Sequence, residues 1–121
     1  MTIKRLEPEF SICKVADFAN SDLSRPFHFA ARTDEECSLV CPTPDAPEDA
    51  LVRDDGWRAF RIEGVLDFSL IGILARISAL LAKNEIGIFA ISTFNTDYIL
   101  TKAENHDRAL QLLKKDGWEI H

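Results

Sequence analysis

Three cysteines, three histidines and the adjacent carboxylates beside two turns, Glu35 with Glu36 and Asp54 with Asp55, are residues of this chain whose types could bind a metal or carry out catalysis. Cys13, Cys37 and Cys41 show no CxxC spacing. On one strand, Cys37 and Cys41 would share a face but stand roughly 13 Å apart by strand rise, too far for a disulfide or for joint ligation of one metal. The spacing therefore supports reduced, mostly buried thiols in a reducing compartment. His28, His106 and His121 are scattered along the chain and read as surface or structural residues, not bases. Glu35 with Glu36, and Asp54 with Asp55, stand beside turns, where carboxylates are solvated. No Gly-rich phosphate loop, GxSxG motif or metal-ligand His spacing occurs. The residues thus imply no enzyme, no cofactor and no metal site.

Composition narrows the partners. In 121 residues, hydrophobic residues make up 46% and charged ones 28%, the balance of a folded chain. One cooperative body is expected, since single cores below about 70 residues are marginal. A net charge of −6 disfavours nucleic acid and anionic membrane, which both need basic patches. The stretch from Met1 to Lys14 alternates charged and apolar residues and lacks the apolar centre of a signal peptide. No run approaches the ~20 apolar residues of a membrane span. A cytoplasmic location follows as the expectation.

The strongest β signal is a hairpin: two β-rich runs, Ile86 to Thr93 and Asp97 to Lys102, joined by Phe94, Asn95 and Thr96. A second, weaker hairpin joins the runs Phe27 to Arg32 and Cys37 to Cys41 through the acidic turn at Asp34, Glu35 and Glu36. Phe10 to Val15 reads as a strand, and Ala16 to Arg25 is polar, with room for one helical turn. The proline-dense stretch Pro42 to Pro47 marks a linker or the approach to a helix. Glu48 to Asp54 fits a short helix ended by Gly56, after which Trp57 to Gly64 resumes as a strand.

From Asp67 the apolar period changes from 2 to 3.6. Leu70, Ile73, Leu74, Ile77, Leu80 and Leu81 form one stripe of a helix running to about Asn84. Asp67 or Ser69 is its expected N-cap, and Asn84 suits a left-handed residue at its end. Glu104 to Asp116 reads as a second helix with Ala109, Leu112 and Leu113 inward and Gly117 as its stop. Trp118 to Ile120 starts a last strand. From Trp57 the order is β-α-β-β-α-β, the ferredoxin-like α+β arrangement of antiparallel strands with helices on one face.

The two halves also resemble each other at an offset of about 60. Phe29-Ala30-Ala31-Arg32-Thr33 falls on Phe89-Ala90-Ile91-Ser92-Thr93, and Cys37 to Cys41 falls on Asp97 to Thr101. After a short gap, Asp55-Gly56-Trp57 matches Asp116-Gly117-Trp118. The common order of these matches points to duplication, with 1–56 a degenerate half and 57–121 the full module. Only Ala16 to Arg25 stands where the second copy has its long helix.

Three segments carry a family resemblance: Trp57 to Gly64, Leu66-Asp67-Phe68-Ser69-Leu70-Ile71-Gly72-Ile73-Leu74-Ala75, and above all Ile88 to Leu100. Through them the chain resembles small bacterial tandem ACT-domain proteins, related to the ACT modules of aspartokinases and of CASTOR-type arginine sensors. The resemblance covers Trp57 to Ile120. It implies a regulatory, allosteric module that binds a small effector, usually an amino acid, where two modules meet, and so a homodimer.

Carried over to this sequence, the resemblance puts Leu66, Asp67, Phe68, Ser69, Leu70 and Gly72 on one wall of the effector site. Ile88, Phe89, Ala90, Ile91, Asn95, Thr96 and Asp97 form the other, from a neighbouring module. A helix start near Asp67 would offer backbone N–H groups to a carboxylate. Asp97, Asn95 and Thr96 would accept from an ammonium, though Asn and Asp in a hairpin turn also serve local backbone groups. The first half has no Asp-Phe-Ser-Leu loop. An alternative function is an interaction module that dimerises or recruits an unidentified protein and binds no small molecule. The ferredoxin-like fold also hosts RNA-binding modules and acylphosphatases, but the acidic balance opposes the first, and Asp67 in the loop after the strand opposes the second.

Overall fold

Alternating apolar and charged residues build strand β1 over Thr2–Val15, burying Ile3, Leu6, Phe10, Cys13 and Val15. It begins eight residues before the expected start at Phe10, because Ile3 and Leu6 are core residues separated by charged, exposed ones. The computed structural model describes residues 1–63 and 72–121, which divide into two compact units: Met1–Glu7 with Arg58–His121, and Pro8–Trp57.

The larger unit, Met1–Glu7 with Arg58–His121, combines the first part of β1 with the end of β4 (Val52–Ile62), α1 (Ile73–Lys83), β5 (Phe89–Ser92), β6 (Asp97–Lys102), α2 (Ala103–Lys115) and β7 (Glu119–Ile120). From β4 onward the order is β-α-β-β-α-β, as read from the sequence. Its strands lie in the order β7-β1-β4-β6-β5. The hairpin β5–β6 is antiparallel, whereas β7 runs parallel to β1, with Thr2 opposite Glu119 and Ile3 opposite Ile120. The last strand therefore pairs with the N-terminal strand and not with β4.

Both helices bury their apolar stripes in one core. Ile77 and Leu81 of α1 and Ala109, Leu110 and Leu113 of α2 join Ile3, Phe60, Ile62 and Ile99 from the strands. Ile73, Leu74 and Leu80 pack against this cluster, while Leu70 lies outside the described residues. α1 starts at Ile73, because Gly72 before it has φ 86°, a left-handed conformation that no helical residue adopts. Asp67 and Ser69, expected as caps, lie outside the described residues. At the far end the left-handed position is taken by Glu85 (φ 62°) and not by Asn84. Ile86 N–H then donates to Leu81 O at 2.9 Å, which satisfies the helix end. In α2 the inward face is His106, Ala109, Leu110 and Leu113, with Leu112 only half-buried. Gly117 (φ 102°) ends it as expected.

The smaller unit, Pro8–Trp57, contains the rest of β1, β2 (Phe29–Arg32), β3 (Cys37–Pro42), a single 3-10 turn over Thr43–Asp45 and the start of β4, with strands in the order β2-β3-β1-β4. Its small core is Cys13, Val15, Leu39 and Cys41. The expected helix over Glu48 to Asp54 does not form. The chain is extended from Val52 onward instead, which sets Arg53 and Asp55 on one side of the strand, with Arg53 Nε 2.8 Å from Asp55 Oδ1. The same carboxylate oxygen accepts from the buried Ser11 hydroxyl at 2.5 Å. Gly56 (φ 83°) takes a left-handed conformation inside β4 and ends no helix.

The offset of 60 reappears in the geometry. Phe29 opposes Val40 in β2–β3 and Phe89 opposes Leu100 in β5–β6, and the other three pairs of each hairpin keep the same offset. Thr33 N–H donates to Glu36 O, and Thr93 N–H to Thr96 O, both at 2.9 Å. The residues before the 3-10 turn and before α2, Pro42 and Lys102, have nearly equal dihedrals (φ −55°, ψ 139° and φ −56°, ψ 142°). After Lys102 the chain continues into a helix of 13 residues, whereas after Pro42 it makes one turn, since Pro47 has no N–H for a further helical bond and disfavours the helical region at Ala46, which is extended (φ −63°, ψ 132°).

Candidate functional site

The β5–β6 hairpin carries the predicted wall Ile88 to Asp97, and β5 ends the strand order of its unit. Ile88 packs against the core, Phe89 and Ile91 are half-buried, and Ala90 is exposed. Two polar side chains of the wall are engaged locally. Ser92 Oγ donates to Asp97 Oδ1 at 2.6 Å across the hairpin. Thr96 is buried, and its hydroxyl donates to Ile62 O at 2.7 Å, tying the turn to the end of β4. Asn95 is exposed beside Phe94, which is 80% exposed. Of the opposite wall, Gly72 stands immediately before α1, with its carbonyl accepting from Arg76 N–H at 2.8 Å. Among the described residues no side chain caps that helix start. Leu66, Asp67, Phe68, Ser69 and Leu70 lie outside the described residues.

Sequence reasoning did not single out Arg61, which stands beside this hairpin. Its Nη1 donates to Tyr98 Oη at 3.4 Å, its guanidinium lies 5.9 Å from the Tyr98 ring centre, and its Nε pairs with Glu63 at 3.2 Å. Tyr98 opposes Ile91 in the hairpin register. The signal was the alternation of β4, which sets Arg61 and Glu63 on one face.

The cysteines are free and mostly buried, as read from the sequence, and among the histidines His106 is buried. His106 is a core residue of α2, 3% exposed. Among the described residues neither of its ring nitrogens has a hydrogen-bond partner. Burial, aided by the Arg58 charge, pushes its pKa down to about 4. His28 Nδ1 lies 3.0 Å from Pro26 O, and its Nε2 lies 3.7 Å from Asp45 Oδ2. All three cysteines are free thiols, Cys13 and Cys41 buried and Cys37 half-buried. Burial raises the pKa of Cys41 to about 12 and that of Cys13 as well, so both stay protonated and unreactive. Among the described residues no three His, Cys, Asp or Glu side chains converge to hold a metal ion, and no helix is long and apolar enough to cross a membrane.

The smaller unit also holds a cleft of about 580 Å³, lined by Pro8, Glu9, Arg25, Pro26, Phe27, Pro42, Thr43, Pro44 and Asp45. Its charged pair is Arg25 Nη1 and Asp45 Oδ1, 2.7 Å apart. Phe27 has φ 62°, unusual for a bulky side chain, and its ring meets that of Phe10 edge-on at 6.3 Å. The proline density of Pro42 to Pro47 was the visible sign, read from the sequence only as a break.

Comparison with known proteins matches residues 52–115 to the family model for the ACT domain. A solved protein of Agobacterium tumefaciens is 31% identical, with a TM-score of 0.88 over 99% of this chain and 91% of that one. A Vibrio cholerae protein described as of unknown function and possibly a transport protein is 20% identical, with a TM-score of 0.78 over 93% of this chain and 86% of that one. The aspartate kinase of Clostridium acetobutylicum, described as an allosteric enzyme, is 11% identical, with a TM-score of 0.64 over 93% of this chain and 32% of the kinase. The last two likenesses are of fold alone. No curated protein matches the sequence.

Proposed function

The chain belongs to the ACT-domain family, and from that membership we propose that it is a non-catalytic sensor whose effector, an amino acid, binds where two ACT modules meet. The match over residues 52–115 is the observation that carries this reading, because it spans α1 and the β5–β6 hairpin together. On this account Ile88, Phe89, Ala90, Ile91, Asn95, Thr96 and Asp97 face the effector from one module. Gly72, with Leu66, Asp67, Phe68, Ser69 and Leu70 before it, faces it from a second copy of the chain. Asp97 accepts from the ammonium. Thr96 acts indirectly, since its hydroxyl is spent on Ile62 O. The first half, residues 1–56, is a degenerate ACT-like copy, a reading supported by the shared hairpin register.

Binding at such an interface favours the assembled state by no more than the effector's preference for it. A thermal-shift screen of the twenty amino acids tests the proposal. A ligand at 100 times its Kd stabilises the fold by about 2.7 kcal/mol. The shift is expected to weaken strongly in Asp97→Ala and to persist in Asp34→Ala, whose position in the other hairpin serves as control. No shift with any amino acid would count against the sensor.

The second reading, an interaction module without a small ligand, draws on Phe94, the most exposed large apolar side chain described. It predicts that Phe94→Ser weakens self-association or partner binding while no amino acid changes either.

A further inference from the structure

We propose that the cleft of the smaller unit is a second binding site, for a small zwitterion with a bulky apolar side chain, the class of the aromatic amino acids. It uses none of the hairpin residues and stands independently of the effector site above.

The cleft has the size and lining of a ligand site. Its volume of about 580 Å³ falls within the roughly 300–1,000 Å³ of small-molecule pockets, which pair apolar walls with a few placed polar groups. Here the walls are Phe27 and the rings of Pro8, Pro26, Pro42 and Pro44. Proline fixes its own backbone, so such walls lose little freedom when a ligand settles against them.

The polar groups are an adjacent cation and anion, the complement of a zwitterion. Arg25 presents only Nη1 to Asp45 in the observed ion pair, and a guanidinium carries five N–H donors, leaving others for a carboxylate. Asp45 Oδ1 takes Arg25, while Oδ2 faces His28 Nε2 at 3.7 Å, beyond hydrogen-bond distance, so that oxygen can accept from an ammonium. Glu9 on the same lining adds a second anion for it. Arg25 is 58% exposed, and an ion pair so open to water adds little to folding. Phe27, which lines the cleft, has a left-handed backbone, and strain of this kind collects at ligand clamps.

The test is a titration of the ¹⁵N-labelled full chain with L-phenylalanine, followed by amide chemical shifts, alongside 3-phenylpropionate, which lacks the ammonium, and phenethylamine, which lacks the carboxylate. Saturable shifts are expected at the amides of Arg25, Phe27, Thr43 and Asp45. Each analogue should bind about tenfold or more weakly, as loss of a charged hydrogen bond implies. R25Q and D45N should remove the shifts, and D97A should keep them. Arg25 is exposed enough that R25Q folds, so full affinity in R25Q overturns the proposal. Equal binding of the analogues, or no saturable shift at these amides, overturns it too. Shifts lost in D97A but kept in R25Q would place the ligand on the hairpin, contradicting this site and leaving the effector reading intact.

Discussion

At the scale of single residues, His106 and Thr96 behave as parts of the fold, and each makes a quantitative prediction. His106 is buried against Phe60, their ring centres 6.5 Å apart, and its pKa lies near 4 against about 6.5 for an unfolded histidine. The unfolded chain therefore takes up the proton first as pH falls. The native state is unaffected above about pH 6.5 and loses stability progressively down to pH 4, by about 3 kcal/mol. His106→Leu removes that dependence, so urea unfolding of variant and wild type should diverge in the variant's favour between pH 7 and pH 4. Parallel curves would show that the imidazole is solvated. Thr96→Val leaves Ile62 O without its 2.7 Å donor, at a cost of about 1–3 kcal/mol. Asn95→Ala, at the exposed turn next to it, should stay within about 0.5 kcal/mol. If the two cost the same, the turn is not anchored through Thr96.

At the scale of elements, the start of α1 depends on one glycine. Gly72 has φ 86°, and among the described residues no atom lies within 4 Å of a Cβ added there, so Gly72→Ala acts through backbone strain, costing about 1–2 kcal/mol. Gly87 is equally open among the described residues and has no left-handed φ, so Gly87→Ala should be neutral or stabilising by up to about 1 kcal/mol. Thermal unfolding of the two variants separates backbone strain from lost space. Elements set by strong periodicity were legible in the sequence: both hairpins, and the stripes of α1 and α2. Those set by tertiary pairing were not. The alternation of charged and apolar residues from Met1 was visible, but with Ile3 and Leu6 three apart it did not mark Thr2 to Glu9 as strand, which its pairing with β7 reveals. Glu48 to Asp54 has ordinary helix composition, yet Arg53 and Asp55 pair two residues apart, which an extended chain allows and a helix does not. The burial of His106 had a signal in its spacing, three, four and seven residues before Ala109, Leu110 and Leu113, but its polar type hid it.

At the scale of the whole molecule, the ACT-domain match takes in both α1 and the β5–β6 hairpin of a single chain, and the proposed site needs a second copy to bring them face to face. Effector binding and self-association are then linked, so each must shift the other. Sedimentation equilibrium of the full chain, repeated in the presence of each of the twenty amino acids, measures that link directly. The account predicts that one amino acid, or a chemically related few, moves the monomer–dimer equilibrium toward dimer and that Asp97→Ala abolishes the effect. An equilibrium unchanged by all twenty would contradict it.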